Sequence, residues 1–234
     1  MGEIAERFAA VRERAVVSYR RAGNMPGEPR IVCVTKMQPL ARIVEAIEAG
    51  ATELGENYVQ EALRKDVFSL RESRHVAVHY IGRMQSNKYN AVLRLFDAVE
   101  SADQGILEHV RGQLPTAHPQ AQEFLLEINA GEEEQKGGLS VEQVRRLADE
   151  RPPWLSMVSG FMTVVPLQAT PEMRATMYES VRDLLGELVR TAGMSHLKVL
   201  SMGTSDDYEL ALEHGSNMVR VGTAVFGSRS PSAV

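Results

Sequence analysis

Eight short apolar runs, each followed by a polar or amphipathic stretch, constrain this chain more than any other feature. They fall at residues 31–36, 52–57, 76–82, 96–100, 123–129, 154–162, 197–202 and 217–221. Short runs that are apolar at consecutive positions suit strands buried on both faces, and the stretches between them carry helical spacing. Strand and helix alternating along one chain build a parallel sheet. Eight such units within 234 residues favour a closed (β/α)8 barrel over an open doubly wound sheet. Residues 1–23 precede the first unit. Ile4, Phe8, Val11, Ala15 and Tyr19 recur near helical spacing there, which predicts an additional helix over 3–22 packed on the barrel, stopped by the Gly-Asn-Met-Pro-Gly stretch at 23–27. The whole chain, 1–234, reads as one domain.

Local signals refine the frame. Pro39 opens a helix that Gly50 closes in the position of a left-handed cap. Ser140 and Gln143 have the spacing of a capping box, a long helix is expected over 172–191, and Ser101 is placed to cap the helix after the fourth strand. The polar, glycine-bounded stretch 131–138 reads as a rim loop.

Ile31-Val32-Cys33-Val34-Thr35-Lys36 ends abruptly on a lysine at the carboxyl end of the first strand, where parallel barrels place their chemistry. A lysine at the mouth of an apolar barrel loses hydration, which lowers its amine pKa and suits it to Schiff-base formation. The plain alternative is a lysine that snorkels to solvent. Leu200-Ser201-Met202-Gly203-Thr204-Ser205 and Arg220-Val221-Gly222-Thr223-Ala224 close strands seven and eight with glycines and hydroxyls, a combination that suits a phosphate dianion and that also serves ordinary turns. Strand alternation sets Val219 and Val221 against the helices and turns Arg220 inward with Met218, either toward a ligand at the mouth or into an internal salt bridge. His79 lies in the third strand, facing the cavity or satisfied in the core.

Charge and composition narrow the classes. With 26 Lys+Arg against 31 Asp+Glu the net charge is −5, so no basic field favours nucleic acid or an anionic membrane. The single cysteine, Cys33, sits in the first strand and fits a reducing cytoplasm, and residues 1–21 lack the apolar core of a signal peptide or membrane span. No metal-ligand spacing, dinucleotide fingerprint or nucleophile elbow occurs, so no metal is expected.

The longer motifs carry a family. Val34-Thr35-Lys36, Gly55-Glu56-Asn57-Tyr58-Val59-Gln60-Glu61, His79-Tyr80-Ile81-Gly82, Gln85-Ser86-Asn87-Lys88, Leu200-Ser201-Met202-Gly203 with Ser205-Asp206-Asp207, and Val219-Arg220-Val221-Gly222-Thr223-Ala224 resemble, in order and over nearly the whole chain, the pyridoxal phosphate homeostasis protein family. The resemblance implies a barrel like the amino-terminal domain of alanine racemase, with pyridoxal 5'-phosphate (PLP) held as a Schiff base on Lys36 and no established turnover. It also implies cofactor contacts from Asn57, from Ser201, Gly203, Gly222 and Thr223 around the phosphate, and from Arg220 at the pyridine nitrogen. Three departures stand out: Thr35 where serine is usual, Gln38 where a second lysine is common, and Gly82-Arg83-Met84-Gln85 in place of Gly-His-Leu-Gln. A role for a second lysine or for that histidine therefore does not carry over.

The expected function is intracellular PLP homeostasis by a cytoplasmic monomer, with PLP-dependent apo-enzymes as recipients and no nucleic acid or membrane partner. The rival is an amino-acid racemase on the same barrel. Two-base racemisation needs a second acid/base group, which similar racemases take from a further domain, and the chain's end at Val234 leaves no room for one. A phosphate-sugar barrel enzyme is a third reading, and it predicts no chromophore.

Overall fold

Each apolar run forms a strand, and the strands hydrogen-bond in chain order into a closed parallel barrel in which β8 pairs back with β1. The computed structural model describes residues 2–23, 27–113, 120–131, 133 and 137–228. The order is α1 (Glu3–Arg21), β1 (Arg30–Val34), α2 (Leu40–Glu48), β2 (Glu53–Glu56), α3 (Val59–Arg64), α4 (Ser69–Arg74), β3 (Ala77–Tyr80), α5 (Tyr89–Leu95), β4 (Ala98–Ala102), α6 (Gln104–Gln113), β5 (Glu123–Glu127), α7 (Val141–Glu150), β6 (Val158–Thr163), α8 (Pro171–Thr191), β7 (Val199–Met202), α9 (Tyr208–Glu213), β8 (Met218–Val221) and α10 (Thr223–Phe226).

Side-chain alternation divides the core in two. Cys33, Leu54, Val78, Val99, Phe124, Leu126, Phe161, Val219 and Val221 join the shell between strands and helices, whereas Val32, Ala98, Leu125, Met162 and Met218 are buried inside the barrel. Polar residues share that inward face, and the site is built on them. The extra helix α1 lays Ile4, Phe8, Val11 and Ala15 onto α2, α9 and α10, and burial of an Ile or Phe side chain contributes roughly 1.5–3 kcal/mol. Gly50 ends α2 at φ +106°, and the Ala51 N–H reaches back to the Ala46 carbonyl, as the left-handed cap requires. Ser140 and Gln143 form the reciprocal capping box.

Several boundaries differ from expectation for identifiable reasons. Ser101 does not cap a helix: it lies within β4 and its hydroxyl donates to the Gly82 carbonyl, while Asp103 accepts the Ile106 N–H at 2.8 Å and starts α6. The run at 154–162 begins as a 3-10 turn over Pro153–Met157, because Pro152 and Pro153 offer no N–H to a ladder; Trp154 and Leu155 are buried from that turn. The short helix α4 buries only Leu70 and leaves little periodic signal. Residues 24–26 of the expected stop after α1, and Glu132 and 134–136 of the expected rim loop, lie outside the described residues. No described helix is long and apolar enough to cross a membrane, and no cluster of metal-ligating side chains occurs among the described residues.

Candidate functional site

Lys36 does not end β1 but follows it by two residues, half-buried in a turn that the Gln38 N–H closes onto the Thr35 carbonyl at 3.0 Å. Met37 takes φ +60°, a left-handed conformation costly for a side chain of its kind, and the Glu61 carboxylate holds it there by accepting its N–H. The Thr35 hydroxyl donates to Glu56 Oε1 at 2.6 Å. Lys65 Nζ, at the end of α3, donates to the Thr35 carbonyl at 2.8 Å, to Glu56 Oε1 at 2.6 Å and to Glu61 Oε1 at 2.9 Å. The lysine turn is thus gripped from β2 and α3 at once. Burial pushes the Glu56 carboxyl up, and Lys65 and Thr35 offset this only in part. Beside it, Asn57 Oδ1 is buried without a hydrogen-bond partner.

The strand-seven and strand-eight turns stand next to this one, since β8 pairs with β1 through Val32–Arg220 and Cys33–Val221. The Gly222 and Ala224 N–H groups converge on Ser205 Oγ at 3.0 and 3.2 Å, so two backbone donors face one oxygen. Thr223, between them, is exposed. Gly203 bends the chain out of β7 at φ +95°, where a β-carbon would come within 2.6 Å of Ala211 Cβ. Asp207 fixes the rest of that loop, accepting from the Thr204 N–H at 2.7 Å, Arg174 Nη1 at 2.9 Å and the Tyr178 hydroxyl at 2.8 Å.

Arg220 turns into the barrel as alternation predicts. Its guanidinium donates to the Ser201 and Thr163 carbonyls at 2.7 and 2.8 Å and to the Ser201 hydroxyl. The Ser201 hydroxyl in turn donates to Glu100 Oε2 at 2.5 Å, and Arg220 Nη1 lies 3.5 Å from the same oxygen. Arg220 thus turns inward and makes the internal ion pair, with Glu100, that was the plainer of its two expected roles. The chain of contacts continues downward. His79 Nδ1 is 2.8 Å from Glu100 Oε1, His79 Nε2 is 3.2 Å from Glu53 Oε2, and Arg30 bridges Glu53 and Glu123. Burial alone pushes His79 down, but Glu100 and Glu53 outweigh it and raise the imidazole to about 9. Burial likewise pushes Glu53 up, and His79 and Arg30 outweigh it to hold that carboxyl at about 2.

Of the residues expected at the site, Lys36, Asn57, Gly203, Arg220, Gly222 and Thr223 come from the ends of four adjacent strands, β7, β8, β1 and β2. Ser201 is inside the barrel with its hydroxyl engaged by Glu100 and Arg220. Sequence reasoning did not single out Lys65 or Glu100, and it met Ser205 in the strand-seven turn and Glu61 and Asp207 in longer motifs without giving any of the three a role of its own. Glu100 did carry a signal, a carboxylate at an inward strand position. A cavity of about 720 Å³ opens between the starts of α8 and α9, lined by Arg174, Ser205 and Asp207 among others, but neither Lys36 nor Arg220 borders it.

Comparison with known proteins agrees with this fold. Residues 9–230 match the family model described as alanine racemase, N-terminal domain. The pyridoxal phosphate homeostasis protein of Escherichia coli K12 is 33% identical over 99% of both chains. PipY of Synechococcus elongatus, solved without and with PLP bound, is 30% identical, with TM-scores of 0.79 and 0.75 over 96% of this chain and all of that one. Alanine racemase of Corynebacterium glutamicum, at 15% identity and a TM-score of 0.61 over 97% of this chain and 62% of its own, shares the fold. A closed barrel with a lysine turn after its first strand and an inward arginine on its last, matched over its length by such relatives, belongs to the pyridoxal phosphate homeostasis protein family.

Proposed function

We propose that this protein binds pyridoxal 5'-phosphate, holds it covalently through the aldehyde on Lys36, and serves PLP homeostasis without turning over amino acids. The observation that carries the reading is the adjacency of three fixed features at one side of the mouth: the gripped Lys36 turn, the convergent Gly222 and Ala224 N–H groups, and the inward Arg220. The names of the relatives, and the PLP bound in PipY, support it.

The residues present fit the cofactor. Lys36 supplies the amine. Gly222, Thr223 and Gly203 are assigned to the phosphate, where the two N–H groups and the exposed Thr223 hydroxyl are donors of the kind a dianion needs and the Ser205 hydroxyl occupies a position open to a phosphate oxygen. Asn57 offers its unpartnered oxygen. Arg220 is assigned to the pyridine nitrogen, with Ser201 contributing from beneath by holding its guanidinium. When bound, PLP supplies an electron-accepting ring and a reactive aldehyde. A guanidinium stays protonated at ordinary pH and can only donate, so it favours an unprotonated ring nitrogen and leaves the ring a weak electron sink. We therefore assign the protein a holding role in the cytoplasm, as a monomer that releases the aldehyde to PLP-dependent apo-enzymes.

Titration with PLP should raise a visible absorption band in the wild type and not in Lys36→Ala. Incubation of the loaded protein with L- and D-alanine in deuterated water should give no enzyme-like α-proton exchange. Exchange or racemisation that disappears with Lys36→Ala would replace the holding role with the racemase reading.

A further inference from the structure

The inward face of the barrel carries three cationic side chains, Arg30, His79 and Arg220, and three carboxylates, Glu53, Glu100 and Glu123, joined in one line of contacts from the amino-terminal end of the barrel toward its mouth. They come from β1, β3, β8, β2, β4 and β5 respectively. The line is neutral only if the imidazole is charged, and its geometry favours the same. A neutral imidazole has one donor and one acceptor nitrogen, yet both nitrogens of His79 lie near carboxylate oxygens: Nδ1 is hydrogen-bonded to Glu100 Oε1 at 2.8 Å, and Nε2, buried and without a hydrogen bond, stands 3.2 Å from Glu53 Oε2. An acceptor nitrogen set against a carboxylate would be repulsive, and His79 and Glu100 are too deeply buried for water to relieve it.

The proton order above His79 is equally determined. Arg220 can only donate, so the Ser201 hydroxyl accepts from it and must direct its own hydrogen elsewhere, which is toward Glu100 Oε2. Glu100 therefore accepts on both oxygens, one from His79 and one from Ser201, and it does so as a carboxylate.

We infer that Glu100 is the positioning residue for Arg220, acting through the Ser201 hydroxyl, and that His79 is its buried counter-cation, an imidazolium at neutral pH. The cation presented below the mouth is thus aimed in part from the barrel's interior, alongside its bonds to the Ser201 and Thr163 carbonyls. The inference rests on the PLP reading only for what Arg220 meets; the aiming itself is a property of the unliganded protein.

Glu100→Gln separates the two. A glutamine can turn its carbonyl oxygen to Ser201 and its amide N–H to His79, which makes Nδ1 an acceptor and the imidazole neutral, with little change of shape. In nitrogen-15 spectra of the PLP-free wild type at about pH 7.5, both ring nitrogens of His79 should be protonated, and the Arg220 terminal nitrogens should resolve as slowly rotating. In Glu100→Gln, His79 should show a single protonated nitrogen, and rotation of the Arg220 guanidinium should speed up by about fivefold or more. PLP release should quicken by a similar factor. Should that variant fail to fold, Ser201→Ala keeps every charge and removes the bridge: Arg220 should again rotate faster while His79 stays doubly protonated. A neutral His79 in the wild type would overturn the inference, as would an Arg220 whose rotation neither variant alters. A wild type that forms no visible band with PLP would overturn the binding reading alone, because the nitrogen spectra decide the positioning without it.

Discussion

Lys65 Nζ lies 2.8 Å from the carbonyl oxygen of Thr35, the residue before Lys36, and the same ammonium holds Glu56 and Glu61. Glu56 is fully buried and Lys65 nearly so, which makes this a pair whose separation leaves an uncompensated charge. Lys65→Met should cost about 3–5 kcal/mol in a urea unfolding curve. Because Glu61 would then be freer to release the strained Met37, PLP affinity should also fall while attachment stays at Lys36. A variant of unchanged stability would show that the turn is held by other contacts.

The phosphate assignment predicts that pyridoxal, lacking the phosphate, binds far more weakly than PLP. Thr223→Val should weaken PLP binding by roughly 1–3 kcal/mol, the usual effect of removing a charge-assisted hydrogen bond. Equal affinity for the two aldehydes in a spectrophotometric titration would place the phosphate in solvent.

The interior charges predict a stability optimum on the acid side of neutrality. His79 is raised from 6.5 to about 9, so its contribution is fully present below 6.5 and is lost as pH rises through 9. Glu53 is lowered from 4.5 to about 2, so its contribution is present above 4.5 and is lost as pH falls through 2. Both act together between about 4.5 and 6.5. Tm measured against pH should decline on the alkaline side, and His79→Gln should lower the maximum and flatten that decline. An alkaline limb identical in the variant would mean that His79 is neutral in the folded state.

Helix α1 predicts a purely packing effect. Phe8 is buried against neighbouring helices and sits 3.8 Å from where a β-carbon on Gly50 would be. Phe8→Ala should destabilise the protein by about 3–5 kcal/mol and leave the visible band of the loaded protein unshifted. A shifted band would connect α1 to the site.

What the sequence made legible was whatever depends on local period. The strands are short apolar runs, the α7 cap is a two-residue spacing, and the inward turn of Arg220 follows from alternation within Met218–Val221. Pairings across the barrel were not legible. Nothing local reveals that Ser201 on β7 faces Glu100 on β4, so its hydroxyl read equally well as a phosphate donor. Nothing local singles out Lys65, because its grip on the Lys36 turn appears only once α3 folds back over β1 and β2. Asp103 displaced Ser101 as the cap because β4 runs two residues beyond the apolar run that marked it.

Arg220→Glu tests the ring-nitrogen assignment. With Lys36 and the phosphate donors intact, PLP should still attach and give a band at a shifted wavelength, because a carboxylate there would favour a protonated ring nitrogen. Complete loss of binding would mean that Arg220 serves the fold, through its bonds to Ser201 and Thr163, and not the ligand.

Borohydride reduction of the PLP-loaded protein, followed by peptide mapping, tests the central claim most directly. The account predicts the reduced pyridoxyl mass on the peptide carrying Lys36, and its absence after reduction of Lys36→Ala. The same mass on Lys65, Lys88 or Lys136, with Lys36 unmodified, would contradict it.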